Sequence, residues 1–193
     1  MKCLVVVAHP VKQSLCHHLS HEAINHLESK GYQVELLDLY QQAFEPSLSR
    51  AERESYYAAN FDVDGVEQQI DQLKQAESLV LIFPTWWFGF PAILKGWFDR
   101  VWAPGHAYDH ASDLGAIQPR LDNLKEVKII TTLGSPWWVD KLVLWQPVKR
   151  IFKIALLGAC AKRCKFKMLS LYKSESLTQV QVDSFVRKIK AEF

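Results

Sequence analysis

The stretch from Phe83 to Trp102, FPTWWFGFPAILKGWFDRVW, carries more information than any other in the chain. An apolar strand end runs into a loop of Pro84, Trp86, Trp87, Phe88, Phe90 and Pro91, and the loop runs into a helix. Loops that only reverse the chain are built from Gly, Asn, Asp and Ser. Aromatic surface of this extent is costly to leave in water, so the loop has the composition of a pocket for a flat ring, or of rings packed beneath a loop. After Pro91, Ile93, Leu94, Trp97, Phe98 and Val101 share one helical face while Lys95 and Asp99 share another. Pro91 is expected at the first helical position.

Outward from this stretch the chain alternates. Cys3 to Ala8 is a continuous Val-rich apolar run, as expected of a strand buried on both faces. A helix follows with Leu15, Leu19, Ala23 and Leu27 on one side, and Gly31 is its expected C-cap. Further strands are expected at Tyr32 to Leu37, Ser78 to Phe83, Val127 to Thr132 and Lys165 to Leu171. Ser49-Arg50-Ala51-Glu52 fits a capping box. Helices are expected over Val66 to Gln75, Lys141 to Leu157 with an interruption near Pro147, and Leu177 to Ala191. This alternation predicts an α/β fold with a five-stranded parallel sheet covered by helices on both faces, in the flavodoxin-like order 2-1-3-4-5.

At 193 residues, with 49% hydrophobic and 23% charged residues, the chain suits one soluble globular domain over residues 1–193. Cys3, Cys16, Cys160 and Cys164 show no paired spacing, which fits free thiols in the cytoplasm. The first apolar run is too short for a signal-peptide core, and none of the later ones spans a bilayer. The net charge of +2 conceals a basic stretch of Lys141, Lys149, Arg150, Lys153, Lys162, Arg163, Lys165 and Lys167. That stretch fits a solvated face, a nucleotide phosphate, an anionic membrane or a protein partner. No recognition motif for nucleic acid accompanies it.

In a parallel sheet of this kind, ligands sit beyond the carboxyl ends of the strands. Three loops are expected there: His9 to Ser14, Pro84 to Phe90, and Leu133 to Asp140. The first lacks the glycine signatures of dinucleotide and P-loop sites. It offers Ser14 before a helix, which either caps that helix or joins the N–H groups of Leu15 and Cys16 in holding a phosphate. The second has aromatic faces and no titratable side chain, which suits a redox cofactor better than hydrolysis. The third, Thr131-Thr132-Leu133-Gly134-Ser135, offers hydroxyls and backbone donors for the polar edge of a flavin. His9 is either a cofactor contact or a structural hydrogen-bond partner. His17 and His21 have metal-ligand spacing but lack a third ligand, so no metal site is expected.

Together these residues resemble the flavodoxin-like NAD(P)H:quinone oxidoreductase family, that of DT-diaphorase and the flavoprotein subunits of bacterial potassium-efflux systems. The similarity runs through Ala8-His9, Asp38-Leu39-Tyr40 and Phe44-Glu45-Pro46 and peaks at Phe83-Pro84, Trp87-Phe88-Gly89 and Pro91 to Val101. The resemblance implies a bound flavin, FAD or FMN, with NADH or NADPH as hydride donor and a quinone-like acceptor, used by turns in one pocket. It implies that Pro84, Thr85, Trp86, Trp87 and Phe88 line the isoalloxazine. Thr131, Thr132 and Gly134 would hold its polar edge, with the backbone of Leu133 and Gly134 stabilising charge, and His9, Ser14, Leu15 and Cys16 would lie by the phosphates. It also implies a homodimer in which Tyr108 and His110 enter the partner's pocket. The alternative from the same family is a regulatory subunit docking on a membrane potassium-efflux transporter. The chain departs from the family's Thr-Ser-Phe-Asn phosphate run at Gln13-Ser14-Leu15-Cys16. Leu133 replaces its first glycine after the threonines, and its Tyr and His fall here near Val139 and Trp145.

Overall fold

A computed structural model describes residues 1–58, 60–111 and 115–193. The central strand β1 (Lys2–Val7) pairs in parallel with β2 (Gln33–Asp38) on one side and β3 (Ser78–Pro84) on the other. Past a two-residue ribbon, β4 (Tyr108–Asp109) against β5 (Gln118–Pro119), the chain enters β6 (Glu126–Leu133) and later β7 (Lys165–Tyr172). The sheet order is β2-β1-β3-β6-β7, which is 2-1-3-4-5 counted over its own strands, as expected. The ribbon was not legible, because two residues carry no periodicity.

Every residue of β3 is buried, and successive side chains feed two cores. Leu4, Val6, Leu79, Leu81 and Phe83 join Leu94, Trp97, Phe98 and Phe152 on one face. Cys3, Val5, Val7, Val80 and Ile82 join Leu19, Ala23, Phe185 and Ile189 on the other. The second face is covered by α1 (Leu15–Ser29) and α7 (Gln179–Glu192), and the first by α3 (Glu67–Gln75) and α4 (Ala92–Val101) with a later helical segment. Gly31 has φ +81°, the left-handed value that favours glycine after a helix. Thr178 caps α7 in a box with Gln181.

One expectation needs correction. Pro91 is not the first residue of α4 but the extended residue before it, with ψ 145°. The helix expected over Lys141 to Leu157 with an interruption near Pro147 is broken there, into two pieces. A single wide turn, Val139–Val143, is followed by Trp145 and Gln146 at φ +58° and +52°, and the helix restarts at Pro147. It runs as α5 (Pro147–Arg150), a π-widened section (Ile151–Leu156) and α6 (Leu157–Cys160). Pro147 cannot donate to the preceding turn, so the chain breaks before it and not at it. Among the described residues, no helix is long and apolar enough to cross a membrane.

The segment after β2 is fastened to α4 by contacts that join two parts of the family-like pattern. Ser49 and Glu52 form the expected capping box at α2 (Arg50–Ser55). The other oxygen of Glu52 accepts from Arg100 Nε at 2.7 Å, and both side chains are buried. Arg100 also donates to the carbonyl of Glu45 at 2.6 Å. Pro46 lies so close to Gly96 that a Cβ there would fall well inside contact with its carbonyl oxygen and ring. The pattern Phe44-Glu45-Pro46 therefore goes with Gly96 and Arg100 for steric and ionic reasons. We predict that Gly96→Ala lowers stability by about 1–3 kcal/mol. Arg100→Leu, which strands a buried carboxylate, lowers it by about 3–5 kcal/mol. Urea unfolding followed by circular dichroism measures both, and an unchanged midpoint in either variant contradicts this account.

Candidate functional site

Three loops leave the carboxyl edge of the sheet side by side, and polar contacts tie them together. The Thr85 N–H donates to the carbonyl of Thr132 at 2.8 Å, extending the β3–β6 pairing into the loops. The Thr85 and Thr131 hydroxyls are 2.7 Å apart. The Cys16 sulfur lies 3.7 Å from the Thr132 hydroxyl. The rings of His9 and Trp86 are 6.4 Å apart.

The aromatic loop is a tight turn in which Trp86 and Gly89 exchange backbone hydrogen bonds at 3.3 and 2.9 Å. Its two central residues, Trp87 and Phe88, have φ +50° and +56°. This is the turn geometry usually filled by Asn and Gly, and each residue with a Cβ in the left-handed region costs on the order of 1–2 kcal/mol. Trp87 is nonetheless fully exposed and Trp86 is 43% exposed. Two backbone hydrogen bonds hold the strained turn, and the two indoles it presents to solvent are surface that a flat ligand could cover.

At the first loop, Ser14 is the N-cap of α1 and its hydroxyl accepts from the His17 N–H. The N–H groups of Leu15 and Cys16, in the first turn, find no acceptor within a helix. Behind them is a buried relay. Ser14 Oγ lies 2.9 Å from His17 Nδ1, and His17 Nε2 lies 2.8 Å from Asp38 Oδ2. Asp38 also accepts from the N–H groups of Tyr40 and Gln41 and from the Gln41 amide. Burial works to raise the Asp38 pKa, but the bonds from His17 and Gln41 prevail and hold it below its usual value. For His9, burial pushes the pKa down and nearby His17 adds to that. Thus Asp38 is ionised and His17 is engaged on both nitrogens.

At the third loop, a Cβ on Gly134 would come within 3.1 Å of the carboxylate of exposed Glu175, which a larger residue would push aside. The loop is pinned from β7's end, where Lys173 and Ser174 N–H groups donate to Ser135 and Leu133 carbonyls. Tyr172 donates to buried Asp140 at 2.8 Å, and burial with this carboxylate pushes the Tyr172 hydroxyl up to about 12.

Residues 1–155 match a family model described as a flavodoxin-like fold. The chain belongs to this flavodoxin-like family. It is 36% identical over 153 residues to NAD(P)H dehydrogenase [quinone] 1 of Cavia porcellus, covering 69% of this chain and 54% of that protein. It is 32% identical over 188 residues to the human ribosyldihydronicotinamide dehydrogenase [quinone], covering 88% of this chain and 79% of that one. It thus spans about half the length of the first of these relatives. Among solved structures, Smu.1420 from Streptococcus mutans UA159 superposes with a TM-score of 0.85 at 28% identity, covering 100% of this chain and 98% of that one.

The expected site residues of this flavodoxin-like chain fall into three groups. His9, Ser14, Leu15, Thr85, Trp86, Trp87, Phe88 and Gly134 lie at the loop edge with accessible surface. Pro84, Thr131, Thr132 and Leu133 are buried at the strand ends, and the Thr131 hydroxyl is committed to Thr85, so its side chain positions and does not contact. Cys16 is buried too and offers only its backbone. Tyr108 and His110 stand apart. The Tyr108 hydroxyl pairs with that of Tyr56 at 2.6 Å and the His110 ring lies 4.7 Å from that of Tyr57. Tyr108 lines a largely apolar cleft of about 350 Å³ with Phe90, Phe98, Trp102, Ile151 and Cys160, and none of the phosphate-loop or threonine residues reaches it.

Sequence reasoning missed the role of His17, which is spent on Ser14 and Asp38 and does not pair with exposed His21. The motif Asp38-Leu39-Tyr40 was the available signal. Among the described residues, no group of three His, Cys, Asp or Glu side chains is arranged for a metal. Burial pushes the Cys16 thiol up to about 11 despite its place at a helix N-terminus. We predict that Cys16 in the folded protein reacts with a disulfide reagent at pH 8 far more slowly than after unfolding. Mass mapping of modified thiols checks this, and rapid native labelling of Cys16 contradicts it.

Proposed function

We propose that the protein is a flavin-dependent NAD(P)H oxidoreductase that reduces quinones or related electrophiles. The observation that carries this reading is the strained Trp86–Gly89 turn with its fully exposed Trp87, hydrogen-bonded through Thr85 to the Thr132 strand end. A flat ring laid on that turn covers the exposed indole and offsets the strain. Relatives named as quinone-dependent NAD(P)H and ribosyldihydronicotinamide dehydrogenases support the substrate class.

The residues present fit the cofactor. Pro84 to Phe88 form the bed for an isoalloxazine, with Trp86, Trp87 and Phe88 supplying ring faces. The N–H groups around Leu133 and Gly134 would donate to its polar edge. Ser14 with the Leu15 and Cys16 N–H groups and the α1 dipole suits a phosphate, and His9 stands beside it. Bound flavin, FAD or FMN, supplies the redox chemistry by taking two electrons as hydride from NADH or NADPH and giving them to the acceptor in a ping-pong cycle. The chain's own work is to stack and orient the reactants, to keep water from one face, and to aim preorganised donors at developing negative charge. Tyr172 and Asp140 hold the third loop in place for this task.

A homodimer completes the reading. Leu142, Val143, Leu144, Trp145, Ile151 and Ile154 are all exposed, an apolar surface that a second copy would cover. Tyr108 and His110 would then face the partner's flavin loops. The cytoplasm suits the free cysteines, three of them buried. The transporter-subunit alternative finds no support among the relatives, whose names are those of dehydrogenases.

Two results are expected. Trp87→Ala raises the flavin dissociation constant about tenfold, as loss of one stacking face of about 1.5 kcal/mol implies, in a fluorescence titration; full retention of affinity contradicts the bed. In anaerobic stopped-flow, reconstituted protein loses its flavin absorbance on adding NADH or NADPH and regains it on adding a quinone. A flavin that binds but does not bleach would sink the enzymatic assignment.

A further inference from the structure

Tyr56 lines one side of the apolar cleft described above, and its hydroxyl lies 2.6 Å from that of Tyr108. Burial fixes the direction of that bond. Tyr108 is buried, and among the described residues its hydroxyl bonds to Tyr56 alone, so a hydrogen pointing elsewhere would be a buried donor without an acceptor. Tyr108 therefore donates to Tyr56. The less buried Tyr56 keeps its own hydrogen for whatever enters the cleft. Its residue is held from three sides. The Tyr56 carbonyl lies 3.2 Å from His110 Nε2, its ring meets that of Phe61 edge-on, and the Arg53 guanidinium sits 5.6 Å over its face.

The rest of the cleft suits a flat apolar ring. Phe90, Phe98, Trp102 and Ile151 line it, Ala155 and Ala159 leave room between them, and its volume is about 350 Å³. Its wall from Ile151 to Leu156 is the π-widened section of the helix, an irregularity that recurs at functional sites. The charged pair at the cleft, Lys95 and Asp99, is closed on itself at 2.7 Å. Burial keeps the Cys160 thiol neutral, its pKa pushed up to about 12. The donors left over are uncharged. They are the Tyr56 hydroxyl and the ring N–H of Trp102, which is buried and finds no acceptor among the described residues. We propose that Tyr56 is the residue that recognises the electron acceptor: a flat ring seats in this cleft and its carbonyl oxygen takes the Tyr56 hydrogen, while Tyr108 is the positioning residue that holds the phenol in place. This rests on the oxidoreductase reading above and adds the acceptor's subsite and its chemical class, an uncharged ring bearing a carbonyl oxygen. Ile151 belongs to the apolar surface assigned above to a second copy, so a ring seated here lies beside that interface.

The test is equilibrium dialysis with duroquinone and durene, which share a ring and its methyl groups and differ only in the carbonyl oxygens. Flavin-loaded, oxidised protein and flavin-free protein are both used, without NADH or NADPH, so no turnover enters the measurement. Tyr56→Phe keeps the ring and removes the donor. It should weaken duroquinone roughly five- to tenfold and leave the affinities for durene and flavin unchanged. Tyr108→Phe leaves a Tyr56 hydroxyl that can donate but is no longer held, and should weaken duroquinone only about two- to threefold. Both variants break the hydroxyl pair, so the difference between them is not a folding effect. Ala159→Leu fills the cleft and should weaken both rings at least about tenfold while flavin affinity is kept. Methyl chemical shifts of Ile151 and Ala155 in the wild-type protein, moving as duroquinone is added, give a readout that needs no variant. No selective loss of duroquinone in Tyr56→Phe, a larger loss in Tyr108→Phe, or Ile151 and Ala155 shifts indifferent to duroquinone overturns the proposal while leaving the flavin site standing. Failure to bind flavin removes the oxidoreductase reading instead, and dialysis of the flavin-free protein still decides whether Tyr56 recognises a carbonyl-bearing ring.

Discussion

Parallel pairing of β3 with β1 on one side and β6 on the other is the constraint on which the rest depends. It sets Val7 beside Ile82 and Pro84 beside Thr132, so three loops must emerge from one edge within reach of one another. Because β3 is buried along its whole length, it cannot slip without exposing Leu81 or Ile82, and the register is held by both cores. The Thr85–Thr132 hydrogen bond carries that register one residue beyond the last pair, and from there the aromatic turn takes its fixed position. The clamp is thus a consequence of the sheet more than of the loop's own propensities, which run against it at Trp87 and Phe88.

Much of this was legible in the sequence because the signals were long or chemically specific. The Val-rich first strand, the all-apolar Ser78 to Phe83 run, and the helix face of Leu94, Trp97 and Val101 each follow a period that leaves few alternatives. The capping box at Ser49 and the glycine at 31 are local chemistry and were read correctly. What failed was short or context-driven. The ribbon at Tyr108 has too few residues to show a period. The break itself was legible from Pro147, but its left-handed form at Trp145 and Gln146 was not, because local preference opposes that conformation in residues with a Cβ.

At the site, side chains proved harder to read than backbone. The Thr131 hydroxyl, expected with Thr132 and Gly134 at the polar edge of a flavin, is paired with that of Thr85. His17 and His21 share one helix at metal-ligand spacing, but no third ligand accompanied them and no metal site was expected. The fold brings Asp38, twenty-one residues away from His17, to its ring, and spends both ring nitrogens on Asp38 and Ser14. Buried polar relays of this kind leave no periodic trace, since their members come from different elements.

The most direct test of the central claim, that these three loops together form one flavin site, is hydrogen exchange by mass spectrometry with and without saturating FAD or FMN. The account predicts slowed exchange confined to the amides around Ser14 to Cys16, Thr85 to Gly89 and Leu133 to Ser135, with the far edge of the sheet unchanged. Protection that spares the Trp86–Gly89 turn, or that appears instead around the amino-terminal ends of the strands, would contradict it.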